Sequence, residues 1–207
     1  LGQFVRRVSR FRNGYRGHLV KTRARETHVL CSMLADGNEG RASYELEFPN
    51  GGVAYVIGNV IGQSAGTDNP SIISYGAEGQ RWPENALYLV HNTLVNDMHA
   101  GSFLTVQNEK FPVGIEVWAI NNLTVGNGNF FQPAQGRFEG NRSASRAELI
   151  EYGRLPSRLT TMSPLRGSVR SPGSVGVVDL MPNAEFTYPV GSRSIQASSS
   201  LSPGAFQ

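Results

Sequence analysis

The chain has 207 residues, enough for one sizeable core and at most two domains. It carries 24 Gly, few aromatics (9%) and 17% charged residues beside an apolar fraction of 39%, which suits a turn-rich β protein better than a helical one. The net charge of +3, from 17 Arg and 2 Lys against 16 Asp plus Glu, is too small and too scattered for a nucleic-acid footprint.

The single cysteine, Cys31, lies inside an apolar run. That excludes a disulfide framework and a cysteine-based metal site, and it reads as a buried structural thiol. No stretch approaches the ~18 apolar residues of a membrane-spanning helix, so no membrane association is expected. The first residues already read as strand, without an initiator Met or a signal peptide. The chain is therefore expected to be a C-terminal piece or a processed form.

One phrase recurs along the chain: a short apolar run, a single small polar residue, a second apolar run, then turn residues. It opens as "VRRVSRFRNG" around Ser9 and returns as "HVLCSMLADG" around Ser32. It is clearest in "AYVIGNVIGQ" around Asn59, "LYLVHNTLVND" around Asn92 and "VWAINNLTVGNG" around Asn122. Successive spacings are 23, 27, 33 and 30 residues, a period that points to a solenoid. The runs are short, β-branched and bounded by Gly, Asn and Asp, which excludes helical repeats. A second strand phrase follows each of the first four copies: "GHLVKTRA", "ASYELEF", "SIISYGAEG" and "GSFLTVQ". Each turn then holds at least two strands, and the pattern predicts an all-β parallel β-helix over residues 1–128. The recurring asparagine should mark the bend, adopt a left-handed conformation, and stack with its counterparts as an amide ladder.

After Asn129 the pattern decays. "SASRAELIEYG" predicts a short helix from Ser143 to Gly153, with Ser145 and Glu148 as a capping box. The remainder is rich in Ser, Pro, Gly and Arg. Residues 129–207 are expected to drape over the coils as a capping segment of the same domain, with Phe186, Tyr188 and Phe206 docked.

The phrases "GHLVKTRARETHVL", "SYELEFPNGG", "YVIGNVIGQ", "YGAEGQRWPENALYLVHNTLVND" and "LSPGAFQ" resemble those of secreted bacterial right-handed parallel β-helix repeat proteins. Within that fold, the chain is distantly similar to the alginate-lyase and chondroitinase-B-like group. There a "NKS" strand supplies a lysine, and a "LTLRHG" strand one coil later supplies an arginine. Lys21 in "HLVKTRA" falls at the lysine place, while Glu45 and Glu47 occupy the strand where the arginine stands in that group. The resemblance implies a secreted or periplasmic bacterial protein that acts on, or binds, an acidic polysaccharide.

Removing a proton α to a uronate carboxyl requires a base, a cation to neutralise the carboxylate, and an acid for the leaving oxygen. The resemblance assigns Lys21 as base and Arg23 as neutraliser. Strand alternation places Leu19, Lys21 and Arg23 on one face, and Glu45 and Glu47 on one face of the next coil, opposite Tyr44 and Leu46. Stacking would bring Lys21, Arg23, Glu45 and Glu47 to a common outer surface, with Ser74 or Tyr75 added one coil later. This row reads either as a cation-and-carboxylate site, with calcium possible at Glu45 and Glu47, or as a solvated Lys–Glu ladder. Tyr75, Glu78, Arg81 and Trp82 in "SYGAEGQRWPEN" offer an aromatic platform beside charges for a sugar ring, or a cover for the solenoid side. His91 reads as a packed bend histidine, and no His/Glu spacing matches a zinc motif.

Two functions follow as expectations. The first is a polysaccharide lyase using Lys21 and Arg23, with Glu45, Glu47, Tyr75, Arg81 and Trp82 contacting substrate. The second is a non-catalytic solenoid that binds polysaccharide or serves as a structural piece of a larger surface protein. Exposed end coils could also drive self-association.

Overall fold

The computed structural model describes residues 2–133, 135–152, 155–196, 198 and 200–207. The chain winds into stacked coils. The first contains β1 (Gln3–Arg7), β2 (Arg10–Phe11) and β3 (Val20–Lys21), and the second β4 (Glu26–Leu30), β5 (Met33–Ala35) and β6 (Leu46–Phe48). The third contains β7 (Val53–Ile57), β8 (Val60–Gln63) and β9 (Ser71–Tyr75), and the fourth β10 (Ala86–Val90), β11 (Thr93–Asn96) and β12 (Ser102–Val106). The fifth holds β13 (Glu116–Ile120), β14 (Leu123–Val125) and β15 (Asn129–Phe130), and a sixth, partial coil holds β16 (Gly136–Glu139) and β17 (Arg142–Ala144). Each strand pairs in parallel with its counterpart one coil away, giving three sheets of six, six and five strands. The fold is a parallel β-helix, and its coils run past residue 128 to Ala144.

Each recurring phrase is two strands, cut by a bend at its polar residue; the second phrase supplies the third strand. Inward side chains stack in register as one apolar column. Ala54, Leu87 and Val117 form one line, and Val29, Val56, Leu89 and Ala119 another, nearly all fully buried. Parallel strands enclosed in this way gain the hydrophobic effect with every coil added, so the core runs the length of the solenoid.

The bend carries the expected ladder. Asn92 Oδ1 accepts from the Asn59 backbone N–H at 3.0 Å and from Asn59 Nδ2 at 2.9 Å. Asn122 does the same for Asn92, at 2.9 and 3.0 Å. The ladder extends to Asn141, whose Oδ1 accepts twice from Asn122 at 2.9 Å, and back to Ser32 and Ser9. The left-handed residue is not the ladder asparagine, as the sequence implied, but the one before it: Val8, Cys31, Gly58, His91, Asn121 and Gly140. That residue turns the chain through the corner, which leaves the following amide pointing inward. For Val8 this conformation is strained, since a β-branched side chain crowds the backbone at positive φ.

The expected helix near Ser143 is a single 3-10 turn, Arg146–Glu148. Glu148 does accept from the Ser145 N–H at 2.8 Å, but the chain then extends as β18 (Leu149–Tyr152), because Leu149 is buried in the capping layer. Gly153 lies outside the described residues. β18 forms an antiparallel hairpin with β19 (Leu155–Leu159). Two more hairpins follow, β20 (Ser174–Val175) with β21 (Val178–Asp179) and β22 (Ala184–Thr187) with β23 (Gly191–Ser194). This C-terminal layer covers the outside of the first two sheets. Phe186 and Phe206 pack with Met33, Val60, Leu123 and Leu155 over the second sheet, and Val175, Val178 and Leu180 pack with Tyr55, Tyr88 and Ile120 over the first. Tyr188 is 42% exposed, with the Arg10 guanidinium 4.5 Å above its ring. Among the described residues no helix is long and apolar enough to cross a membrane.

Candidate functional site

The third sheet is where the sequence placed a charged row. In β6, Leu46 and Phe48 point into the core, so Glu47 points out, in register with Lys21 below and Ser74 above. The loop after β9 folds back across the second coil, with the Glu78 N–H donating to Pro49 O at 2.7 Å and the Arg81 N–H to Asn50 O at 3.1 Å. This brings Glu78 over the first coil.

Four charges meet there. Lys21 Nζ lies 2.8 Å from Glu47 Oε2 and 3.0 Å from Glu78 Oε1. Arg23 grips Glu78 with both ends of its fork, Nη2 at 2.6 and 2.7 Å and Nε at 3.2 Å. Such a bidentate pair fixes geometry as well as charge. Two cations face two carboxylates, so the cluster neutralises itself. Hydrogen bonds from Arg23 and Lys21 hold the Glu78 carboxyl down at about 2. The hydrogen bond to Glu47 pushes the Lys21 ammonium up, with Glu78 adding to the effect. His18 completes the group: its Nδ1 accepts from the Tyr44 N–H at 3.2 Å, and its Nε2 lies 3.2 Å from Glu47 Oε2. Burial lowers its pKa, against the opposing pull of Glu47.

Glu45 is not on this surface. The strict alternation that put it beside Glu47 fails because β6 begins at Leu46 and Glu45 sits on the corner before it. The corner position turns inward, so Glu45 stacks between Leu19 and Ile72 and is 0% exposed, with neither carboxyl oxygen hydrogen-bonded. Leu19, expected outside, packs against the core for the same reason. Burial, reinforced by the nearby Asp36, raises the Glu45 carboxyl to about 9, so it is a neutral acid at pH 7. A calcium site shared by Glu45 and Glu47 does not form, since the two carboxyls lie on opposite sides of the wall. Among the described residues no group of three His, Cys, Asp or Glu side chains is placed to hold a metal ion.

Tyr75 is also enclosed. It is a core residue between Phe48 and Phe111, and its hydroxyl donates to Gly52 O. Arg81 and Trp82 lie further along the same loop, at the edge of a shallow depression of about 600 Å³ that includes Pro83, Lys110 and Val113. The Arg81 guanidinium stands 5.7 Å from the Trp82 ring, and Trp82 Nε1 has no hydrogen-bond partner. Lys110 is tethered to the loop by Nζ donating to Ala77 O at 2.6 Å. The structure thus gathers Lys21, Arg23 and Glu47 into one cluster and Arg81 and Trp82 into a neighbouring corner, with Glu45 and Tyr75 in the interior.

An outer aromatic column on the first sheet was not foreseen. His28 stacks on Tyr55 at 4.7 Å, Tyr55 on Tyr88 at 5.1 Å, and Trp118 meets Tyr88 edge-on at 5.5 Å. Glu116 accepts from both the Tyr88 hydroxyl and Trp118 Nε1. The sequence signal was present, because each ring lies four residues before its ladder residue. Tyr55 and Tyr88 are buried against the C-terminal layer, so this column serves packing.

The architecture defines a parallel β-helix with a self-neutralised ion cluster on its third sheet. No protein-family model matches the chain, and neither a curated protein nor a solved structure shows significant similarity to it.

Proposed function

We propose that this protein is a non-catalytic β-helix that binds acidic polysaccharide at the corner formed by Arg81, Trp82 and Lys110. The observation that carries the reading is the engagement of Lys21 by Glu47 and Glu78. A general base needs a free lone pair near the working pH, and a lysine held between two carboxylates keeps its proton. The neutraliser of a substrate carboxylate needs an open charge, and Arg23 already spends its fork on Glu78. The finer resemblance to uronate lyases thus extends to the place of the lysine and not to its chemistry.

The Trp82 corner has what sugar binding requires. An indole face supplies apolar contact, and Arg81 and Lys110 supply positive charge for uronate carboxylates. A secreted or periplasmic bacterial setting accords with such a ligand. Affinity electrophoresis through gels containing polygalacturonate or alginate tests the proposal. Retardation that is weakened by salt and reduced severalfold in Trp82→Ala is the expected result. Equal mobility with and without polymer contradicts it.

A further inference from the structure

The solenoid closes on three unpaired strands. β16, β17 and β15 stand last in the first, second and third sheets, and among the described residues nothing pairs with their open sides. After β17 the chain leaves to cover the outsides of the sheets, so this end of the core is left to its own side chains. An open strand edge is a template for another chain unless something blunts it.

At the first coil something does. Arg6 of β1 stands in the inward column of Val29, Val56 and Leu89, with its guanidinium 4.9 Å from the Phe4 ring. A copy abutting there would bury an unpaired charge. At the last coil the same column passes through Ala119 and ends in Phe138, half-buried and edge-on to Phe130 at 6.3 Å.

The sequence of β16 is Gly136, Arg137, Phe138, Glu139. Phe138 packs on the core, so Arg137 and Glu139 share the outward face, with Arg137 Nη2 at 3.0 Å from Glu139 Oε2. Glu139 O accepts from the Asn121 N–H at 2.9 Å, so the backbone groups of Glu139 face β13, and by alternation those of Phe138 face the open side. A second copy turned about a twofold axis through Phe138 presents the same strand antiparallel. Phe138 then exchanges both backbone hydrogen bonds with its counterpart, and Arg137 falls opposite Glu139 of the partner subunit. The charge order of the strand is therefore self-complementary, as a twofold interface requires.

We infer that this end of the solenoid is a homodimer interface, in which β16 pairs antiparallel with β16 of a second copy and joins the two first sheets. The contact is isologous, so assembly stops at two copies. It is independent of any ligand at the Trp82 corner.

Sedimentation velocity of the full chain over a range of concentrations tests the inference. Wild-type protein should sediment as a dimer. Arg137→Glu alone and Glu139→Arg alone each set like charges against each other across the axis, and each should weaken the dimer at least ~tenfold. The double variant carrying both changes should restore it, which a merely structural role for the two residues would not. Arg137 and Glu139 are 39% and 58% exposed, so all three variants should melt with wild type. A wild-type monomer at every concentration, growth beyond two copies, single variants that dimerise as tightly as wild type, or a double variant that stays monomeric would each overturn it.

Discussion

Asn92 Oδ1 accepts two hydrogen bonds from Asn59, and Asn92 Nδ2 reaches back to donate to Val56 O at 2.8 Å. One side chain therefore satisfies groups on a neighbouring coil through both of its polar atoms, inside a wall where water has no access. Replacing it with Leu keeps the volume and removes these partners at once. Each buried group left unpaired costs roughly 1–3 kcal/mol, so Asn92→Leu should lower unfolding stability by about 3 kcal/mol or more. Asn141→Leu, on a half-exposed last rung, should cost less. Urea unfolding midpoints of the two variants check the order; equal losses would contradict it.

Glu45 makes the opposite prediction. Its folded pKa, about 9, lies above its unfolded value of 4.5, so the native state holds a proton that the unfolded state releases between those pH values. Its contribution is unpenalised below about pH 4.5 and falls as pH rises to about 9. At pH 7 the penalty is on the order of 3 kcal/mol. Glu45→Leu, matching Leu19 and Ile72 in the same stack, should raise the melting temperature at pH 7 and flatten its decline toward pH 9. A lower melting temperature at pH 7 would show that the carboxyl has a partner.

Glu78 restrains both Lys21 and Arg23. Removing its charge in Glu78→Gln should free Arg23, leave Lys21 held by Glu47 alone, and strengthen binding of polyanions severalfold, with a steeper salt dependence. Because Glu78 is 42% exposed, stability should change little. Affinity electrophoresis at two salt concentrations reads this directly, and unchanged retardation would show that polymer bound at the Trp82 corner does not extend onto the cluster.

Cys31 is buried, and its thiol donates to Ala184 O at 2.9 Å beneath the C-terminal layer. Burial pushes its pKa up, which suppresses the reactive thiolate. An aromatic disulfide reagent should leave the native protein unmodified and react fully in denaturant. Rapid modification of native protein would mean that the layer over Cys31 opens readily.

The winding of the chain was legible because each coil must repeat its inward side chains. The serine and asparagine positions then fall in register from Ser9 to Asn122. Asn141 escaped because its strand, "GRFE", carries one apolar residue and sits only 19 positions after Asn122. The left-handed corner residues were hidden by their variety, since Gly58, Asn121 and Gly140 suit positive φ by type while Val8 and Cys31 do not. Glu45 was misplaced because a period of two holds only within a strand, and a corner resets it. The cluster at Lys21 was half visible: register gave Glu47, but Glu78 arrives by a loop that crosses two coils, which strand patterns do not encode. The C-terminal layer was foreseen as a cover, and its three hairpins were not, because their strands are as short as two residues.

Incubating wild-type protein and Lys21→Ala with polygalacturonate and alginate, while following the ultraviolet absorbance of unsaturated sugar ends, tests binding without cleavage most directly. The account predicts retardation of the protein by these polymers and no rise in absorbance from either form. A steady rise with wild type that vanishes in Lys21→Ala would contradict it and make Lys21 a catalytic base after all.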